Sequence, residues 1–182
     1  MQLYQIKATP ESAGYGLMAR DDEGYCYVYS ANTGLWHRNG AREIDFEFDH
    51  TATYEPITGD DAAELVQGVK AADRRSMGRY VTQLKDQAPR WKKTSAEVGV
   101  MSHSGDRPIS ESLVELALAR RKGSWTSAAL YPIDKKRSAQ KFVSDMLRKD
   151  RKAFHGHQFD ARVSPSGQVA RVELRPKRAA DA

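Results

Sequence analysis

The 182 residues contain one cysteine, Cys26, which excludes an internal disulfide framework and a multi-cysteine zinc site. No apolar run approaches the ~18 residues that a membrane-spanning helix requires. The opening Met1-Gln2-Leu3-Tyr4-Gln5-Ile6-Lys7 alternates apolar and polar residues and lacks the charged start and apolar block of a signal peptide. There is no glycine loop ending in Lys-Ser or Lys-Thr to cradle phosphates, and no Gly-x-Ser-x-Gly turn to expose a catalytic serine. Cys26 lies mid-strand by pattern, away from any helix start that would favour its thiolate. The acids Asp21-Asp22-Glu23 fall in a turn, whereas paired hydrolytic carboxylates must face each other across a cleft. The expectation is a non-enzymatic intracellular protein with no cofactor.

What is present is charge, unevenly placed. Hydrophobic residues make up 40% and charged residues 29%, with a mean hydropathy of −0.70; aromatics at 9% are too many for a fully disordered chain. The net charge of +5 conceals a division. From Met1 to Lys70, five Lys and Arg face twelve Asp and Glu, whereas from Ala71 onward 24 face twelve, so the halves carry −7 and +12. A basic half points to a polyanion such as DNA or RNA. The competing explanations are mutual neutralisation across an internal interface, or lysines and arginines that are only solvated surface.

The first half reads as a small antiparallel sheet. Strands are predicted at Leu3–Ile6, Tyr15–Ala19, Tyr25–Tyr29 and Leu35–Arg38, with the Asn32-Thr33-Gly34 turn before the last. Period two sets Tyr25, Tyr27 and Tyr29 on one face and Cys26 and Val28 on the other. Ile44, Phe46 and Phe48 alternate with Asp45, Glu47 and Asp49, predicting a further strand with an acidic outer face. Thr58 and Asp61 announce a helix start. Ala62, Leu65, Val66 and Val69 form one helical stripe and Met77, Tyr80, Val81 and Leu84 a second, read as two helices broken near Gly68 or Gly78. From Gln87 to Pro108 no periodicity persists.

The second half predicts helix, strand, helix, hairpin. Ser110 or Ser112 caps a helix ending in Arg120-Arg121-Lys122-Gly123, Trp125–Tyr131 is a strand stopped by Pro132, and Ala139, Phe142, Val143, Met146 and Leu147 stripe the next helix. Phe159–Val163 and Val169–Leu174 pair around Ser164-Pro165-Ser166-Gly167. The fold class expected is α+β. An acidic sheet-and-helix domain spans 1–87, a linker 88–107, a basic αβαββ domain 108–178 and a tail 179–182. This order is a truncated winged helix lacking one helix.

Nucleic-acid contact is assigned to Arg120, Arg121, Lys122, Lys135, Lys136, Arg137, Lys141, Arg148, Lys149, Arg151, Lys152, Arg171 and Arg175, with Arg162 nearby. Neutralising phosphates needs several cations on one surface. The row Tyr25, Tyr27, Tyr29 is assigned to packing or a protein or homodimer interface, because the −7 of this half would repel a backbone brought in for base stacking. Asp45, Glu47 and Asp49 are its acidic counterpart, spaced so as to imitate phosphates toward a protein partner. His155 and His157 sit two apart without the cysteine or second acid that a four-ligand metal site needs, so no metal is expected.

The runs Trp125-Thr126-Ser127-Ala128-Ala129-Leu130-Tyr131-Pro132, Ser138-Ala139-Gln140-Lys141-Phe142, Arg148-Lys149-Asp150-Arg151-Lys152-Ala153-Phe154 and Phe159-Asp160-Ala161-Arg162-Val163 resemble a small domain common in actinobacterial, mycobacteriophage-like phage accessory proteins. That resemblance spans about a third of the chain and implies action in the cytoplasm of a bacterial host, on DNA or on a host protein.

Overall fold

The computed structural model describes residues 1–102, 110–120, 123–149 and 157–177, and only the backbone at 74, 76 and 145–149. They divide into two units: Met1–Lys93 with Val98–Val100, and Thr94–Glu97 with the chain from Met101 onward. The class is mixed α+β.

The first unit is built on a six-stranded antiparallel sheet in the order β5-β1-β2-β3-β4-β6. Its strands are β1 (Gln2–Lys7), β2 (Gly14–Arg20), β3 (Cys26–Ser30), β4 (Leu35–Arg38), β5 (Thr53–Ile57) and β6 (Lys92–Lys93). Gly34, at φ 68°, supplies the left-handed residue that closes β3 onto β4. One sheet face buries Leu3, Leu17, Ala19, Tyr27, Tyr29 and Trp36 against Ala62 and Ala63, with Val98 and Val100 in the same cluster. Ala62 and Ala63 belong to α2 (Gly59–Gly68), whose start is a reciprocal capping box between Thr58 and Asp61. The opposite face buries Ile6, Met18 and Cys26 beneath Tyr4, Phe46 and Tyr54. A separate helix, α3 (Arg74–Asp86), follows α2, capped by Asp73.

Two expectations are corrected in this unit. Residues 44–48 are not a strand: α1 (Gly40–Ile44) runs into a π-helical turn over Asp45–Asp49, ended by His50 at φ 49°. The Asn39 side chain accepts from Arg42 N, and Asp45 accepts from Thr51 N, so local side-chain bonds outweigh the period-two apolar pattern. The supposed linker carries structure through its described part: a 3-10 turn at Pro89–Trp91, β6, and α4 (Ser95–Val98). Elements of two to four residues are too short to display a period.

In the second unit, β7 (Thr126–Pro132), β8 (Phe159–Ser166) and β9 (Val169–Pro176) form a three-stranded antiparallel sheet ordered β7-β9-β8. Gly167 turns the β8–β9 hairpin at φ 59°. α5 (Glu111–Ala119), capped by Ser110, packs Leu113, Val114 and Ala117 on Phe159 and Leu174. α6 (Lys136–Lys149) packs Ala139, Phe142 and Val143 against Ala129, Tyr131, Ala170 and Val172. Because residues alternate along β9, Arg171, Glu173 and Arg175 lie on the face opposite the two helices.

Candidate functional site

Pro132 ends β7, and a 3-10 turn at Ile133–Lys135 leads directly into α6. Ala139, Phe142 and Val143 hold the helix to the sheet, which leaves Lys135, Lys136, Arg137 and Lys141 exposed. None of the four has an acidic partner among the described residues. No acidic residue occupies the first turn of α6. Lys135, Lys136 and Arg137 therefore sit where the helix dipole is positive, an arrangement that costs about 0.3–1 kcal/mol each on the local scale. Helical spacing aligns positions 137, 141 and 148 along one side of α6.

Of the other proposed nucleic-acid contacts, Arg120, Arg171 and Arg175 are described with their side chains. Arg120 is paired with Glu97 through two hydrogen bonds. On the far sheet face Arg175 bonds Asp160 at 2.8 Å and Arg162 bonds Glu173 at 2.7 Å, while both guanidinium groups stack on Trp125, at 4.7 and 4.1 Å from the ring centre. Arg171 lies on that face with its Nε buried and unpartnered. The side chains of Arg148 and Lys149, and residues Arg121, Lys122, Arg151, Lys152 and His155, lie outside what is described. Among the described residues, Arg171, Arg175 and Arg162 thus lie on the sheet face opposite the cations at the start of α6, and it is the α6 group that is both exposed and without acidic partners. Trp125 between Arg162 and Arg175 was not foreseen; the diagonal placement of the two arginines appears only once the β8–β9 register is known.

Of the six residues assigned to a protein interface, Tyr27, Tyr29 and Asp45 are buried. Tyr27 and Tyr29 are buried, with Tyr29 5.5 Å from the Trp36 ring, and burial pushes the Tyr27 hydroxyl up to about 12. Tyr25 is half-buried between Trp91 and Arg38, whose guanidinium lies 4.0 Å over its ring. The row faces inward because α2 covers that side of the sheet, with Trp36 beside Tyr29 on the neighbouring strand. Asp45 is buried. Hydrogen bonds from Thr51 and Tyr54 hold its carboxyl well below the usual carboxylate range, with Arg42 alongside. Glu47 is bonded to Arg20, which leaves Asp49 as the exposed acid of the three without a partner among the described residues. An acidic strip imitating phosphates is therefore not formed.

Elsewhere in the first unit, His37 is 2% exposed, donating from Nδ1 to Gln87 Oε1 at 3.3 Å and accepting at Nε2 from Thr33 Oγ1 at 2.7 Å. Gln87 is oriented by its own donation to Arg38 O. Burial lowers the imidazole pKa to about 4, so it is neutral at pH 7. Burial also pushes the Cys26 thiol up to about 11, leaving it unreactive. No cluster of three or more His, Cys, Asp or Glu suited to a metal occurs among the described residues, nor is any described helix long and apolar enough to cross a membrane. Comparison of the chain with family models, curated proteins and solved structures found no match.

Proposed function

We propose that this chain is a non-enzymatic phage accessory protein that binds nucleic acid, most simply duplex DNA, in the cytoplasm of a bacterial host. The observation that carries this reading is the unpaired cluster Lys135, Lys136, Arg137 and Lys141 at the first turns of α6. Asp134, in the turn just before the helix, is the adjacent acid in sequence and is not paired with any of them, and the helix dipole opposes the cations of the first turn; a phosphate backbone would relieve both. In the truncated winged-helix reading, α6 takes the place of the recognition helix and the β8–β9 hairpin that of the wing. The N-terminal residues of a recognition helix are the ones that approach base edges, and here those positions are cationic. Arg171, Arg175 and Arg162 are excluded from that contact by their position on the other sheet face. The first unit supplies a protein or homodimer contact.

The test is retention of the full chain on duplex and single-stranded DNA at 50 mM salt, beside a Lys135→Glu/Lys136→Glu/Arg137→Glu/Lys141→Glu variant. The reading expects retention of the parent and at least a tenfold loss in the variant. Equal retention, or none by either, overturns it.

A second reading, a blocker of a host protein acting through the first unit, rests on exposed apolar side chains: Phe48 is 77% and Ile44 54% exposed on α1 and its π turn. Its mark is a stoichiometric protein partner recovered from host lysate after nuclease treatment and lost in Phe48→Ser; nuclease-sensitive recovery contradicts it.

A further inference from the structure

A hollow of about 250 Å³ opens in the first unit between the sheet and α3. Val28 and His37 are direct partners in the β3–β4 register and face it from the sheet. Leu84 and Tyr80 face it from α3. Its size and its chemistry together restrict what it can hold.

Charge is the first restriction. Arg38, at the rim, is bonded to both oxygens of Glu43, at 2.9 and 3.1 Å. His37 is neutral, and both its ring nitrogens are occupied by Thr33 and Gln87. Gln87 spends its amide on His37 and on Arg38 O. The lining therefore offers no unpaired cation for a carboxylate or phosphate and no unpaired carboxylate for an ammonium. Burying an ion without a partner is heavily unfavourable, so charged ligands are disfavoured.

Free hydrogen-bonding capacity is the second. Tyr80, Gln83 and Asn39 line the space, and the Tyr80 hydroxyl, the Gln83 amide and the Asn39 Nδ2 have no bond to any described residue. Asn39 Oδ1 is already engaged as the cap of α1. A phenol and a complete primary amide both donate and accept, and Asn39 adds a donor. They suit a ligand with alternating donors and acceptors on one edge, while Val28, Leu84 and the Tyr80 ring supply apolar walls.

Volume is the third. At about 250 Å³ the hollow exceeds the roughly 150 Å³ of a cavity that admits a benzene ring, which leaves room for a single six-membered heterocycle with its substituents.

We propose that this hollow is a binding site for an uncharged heterocycle carrying amide-like edges, of nucleobase size. Gly40 makes the idea testable. It is a lining residue in the first turn of α1, its φ is not positive, and a Cβ built on it meets nothing within 4 Å. Gly40→Leu therefore adds bulk at the exposed rim of the hollow without backbone strain.

The experiment titrates the full chain with uracil, cytosine and adenine, with benzoate and benzamidine as charged controls of similar size, following side-chain amide and backbone NMR signals. At least one base should bind with a dissociation constant of about a millimolar or tighter, a modest value for so small a ligand. It should shift the Gln83 side-chain amide and the Gly40 backbone signal. Gly40→Leu should weaken it at least tenfold while thermal unfolding stays within a few degrees of the parent. Gln83→Ala, at an exposed position of α3 on the rim of the hollow, should weaken it without touching the fold. Failure of all three bases, equal binding of benzoate or benzamidine, or unchanged binding in a folded Gly40→Leu overturns the proposal. None of these outcomes bears on the α6 cluster, so this site and the nucleic-acid surface stand or fall separately.

Discussion

The imidazole of His37 is boxed between Thr33 and Gln87, and the unfolded chain releases it to water. An unfolded histidine takes up a proton near pH 6.5, the folded one only near pH 4. Between those values the unfolded state binds more protons, so stability is complete above pH 6.5 and falls as pH drops toward 4. The loss reaches about 3 kcal/mol at the acid end. Urea unfolding at pH 7, 6, 5 and 4.5 checks this, and a flattened profile is expected in His37→Gln. A parent profile indifferent to pH across that window contradicts the buried, neutral histidine. Asp45 works in the opposite chemical sense: its charged form is the bonded one, held by Thr51 and Tyr54. Asp45→Ala should destabilise by about 2–4 kcal/mol, because two hydroxyls, an amide and Arg42 all lose their acceptor. Chemical denaturation measures it, and a change below 0.5 kcal/mol would show that these bonds are not made.

At the scale of elements, α2 and α6 make contrasting cases. Thr58 and Asp61 cap each other's backbone at the start of α2, and Thr58→Ala should cost about 1 kcal/mol of stability by denaturant titration. α6 begins on cations instead. Lys136→Glu and Arg137→Glu should therefore raise stability, by about 0.3–1 kcal/mol each, while weakening nucleic-acid retention. A variant both less stable and still retained would remove the argument from the helix dipole.

The same elements show what could be seen in advance. Both stripes around α2 and α3, the Thr58 cap, β3 and β4, the start of α5 at Ser110 and the β8–β9 hairpin were legible, because each depends on neighbours within a few residues. The π turn was not, since Ile44, Phe46 and Phe48 mimic a strand while Asn39 and Thr51, outside the pattern, decide the backbone. The charged residues at the start of α6 were named from sequence alone; their separation from Arg171 and Arg175 needed the sheet register. The hollow left no trace in sequence, because its walls come from residues 28–40 and 80–87.

For the whole molecule, the charge division narrows once the units are known. α3, β6 and the turn between them bring seven Lys and Arg but only Asp73 and Asp86 to the first unit, so it holds 12 cations against 14 acids and the second 17 against 10. The imbalances become −2 and +7: the first unit is close to neutral, and the excess positive charge belongs to the second. The direct test of a phosphate-binding role is the salt dependence of duplex DNA binding by the full chain. Four engaged cations set a slope of about −3.6 in log affinity against log salt, a loss of roughly 100-fold between 50 and 200 mM. The account predicts that slope for the parent and a slope shallower by about one for each of Lys135, Lys136, Arg137 and Lys141 replaced by alanine. A parent slope near zero, or one that the four replacements leave unchanged, would contradict it.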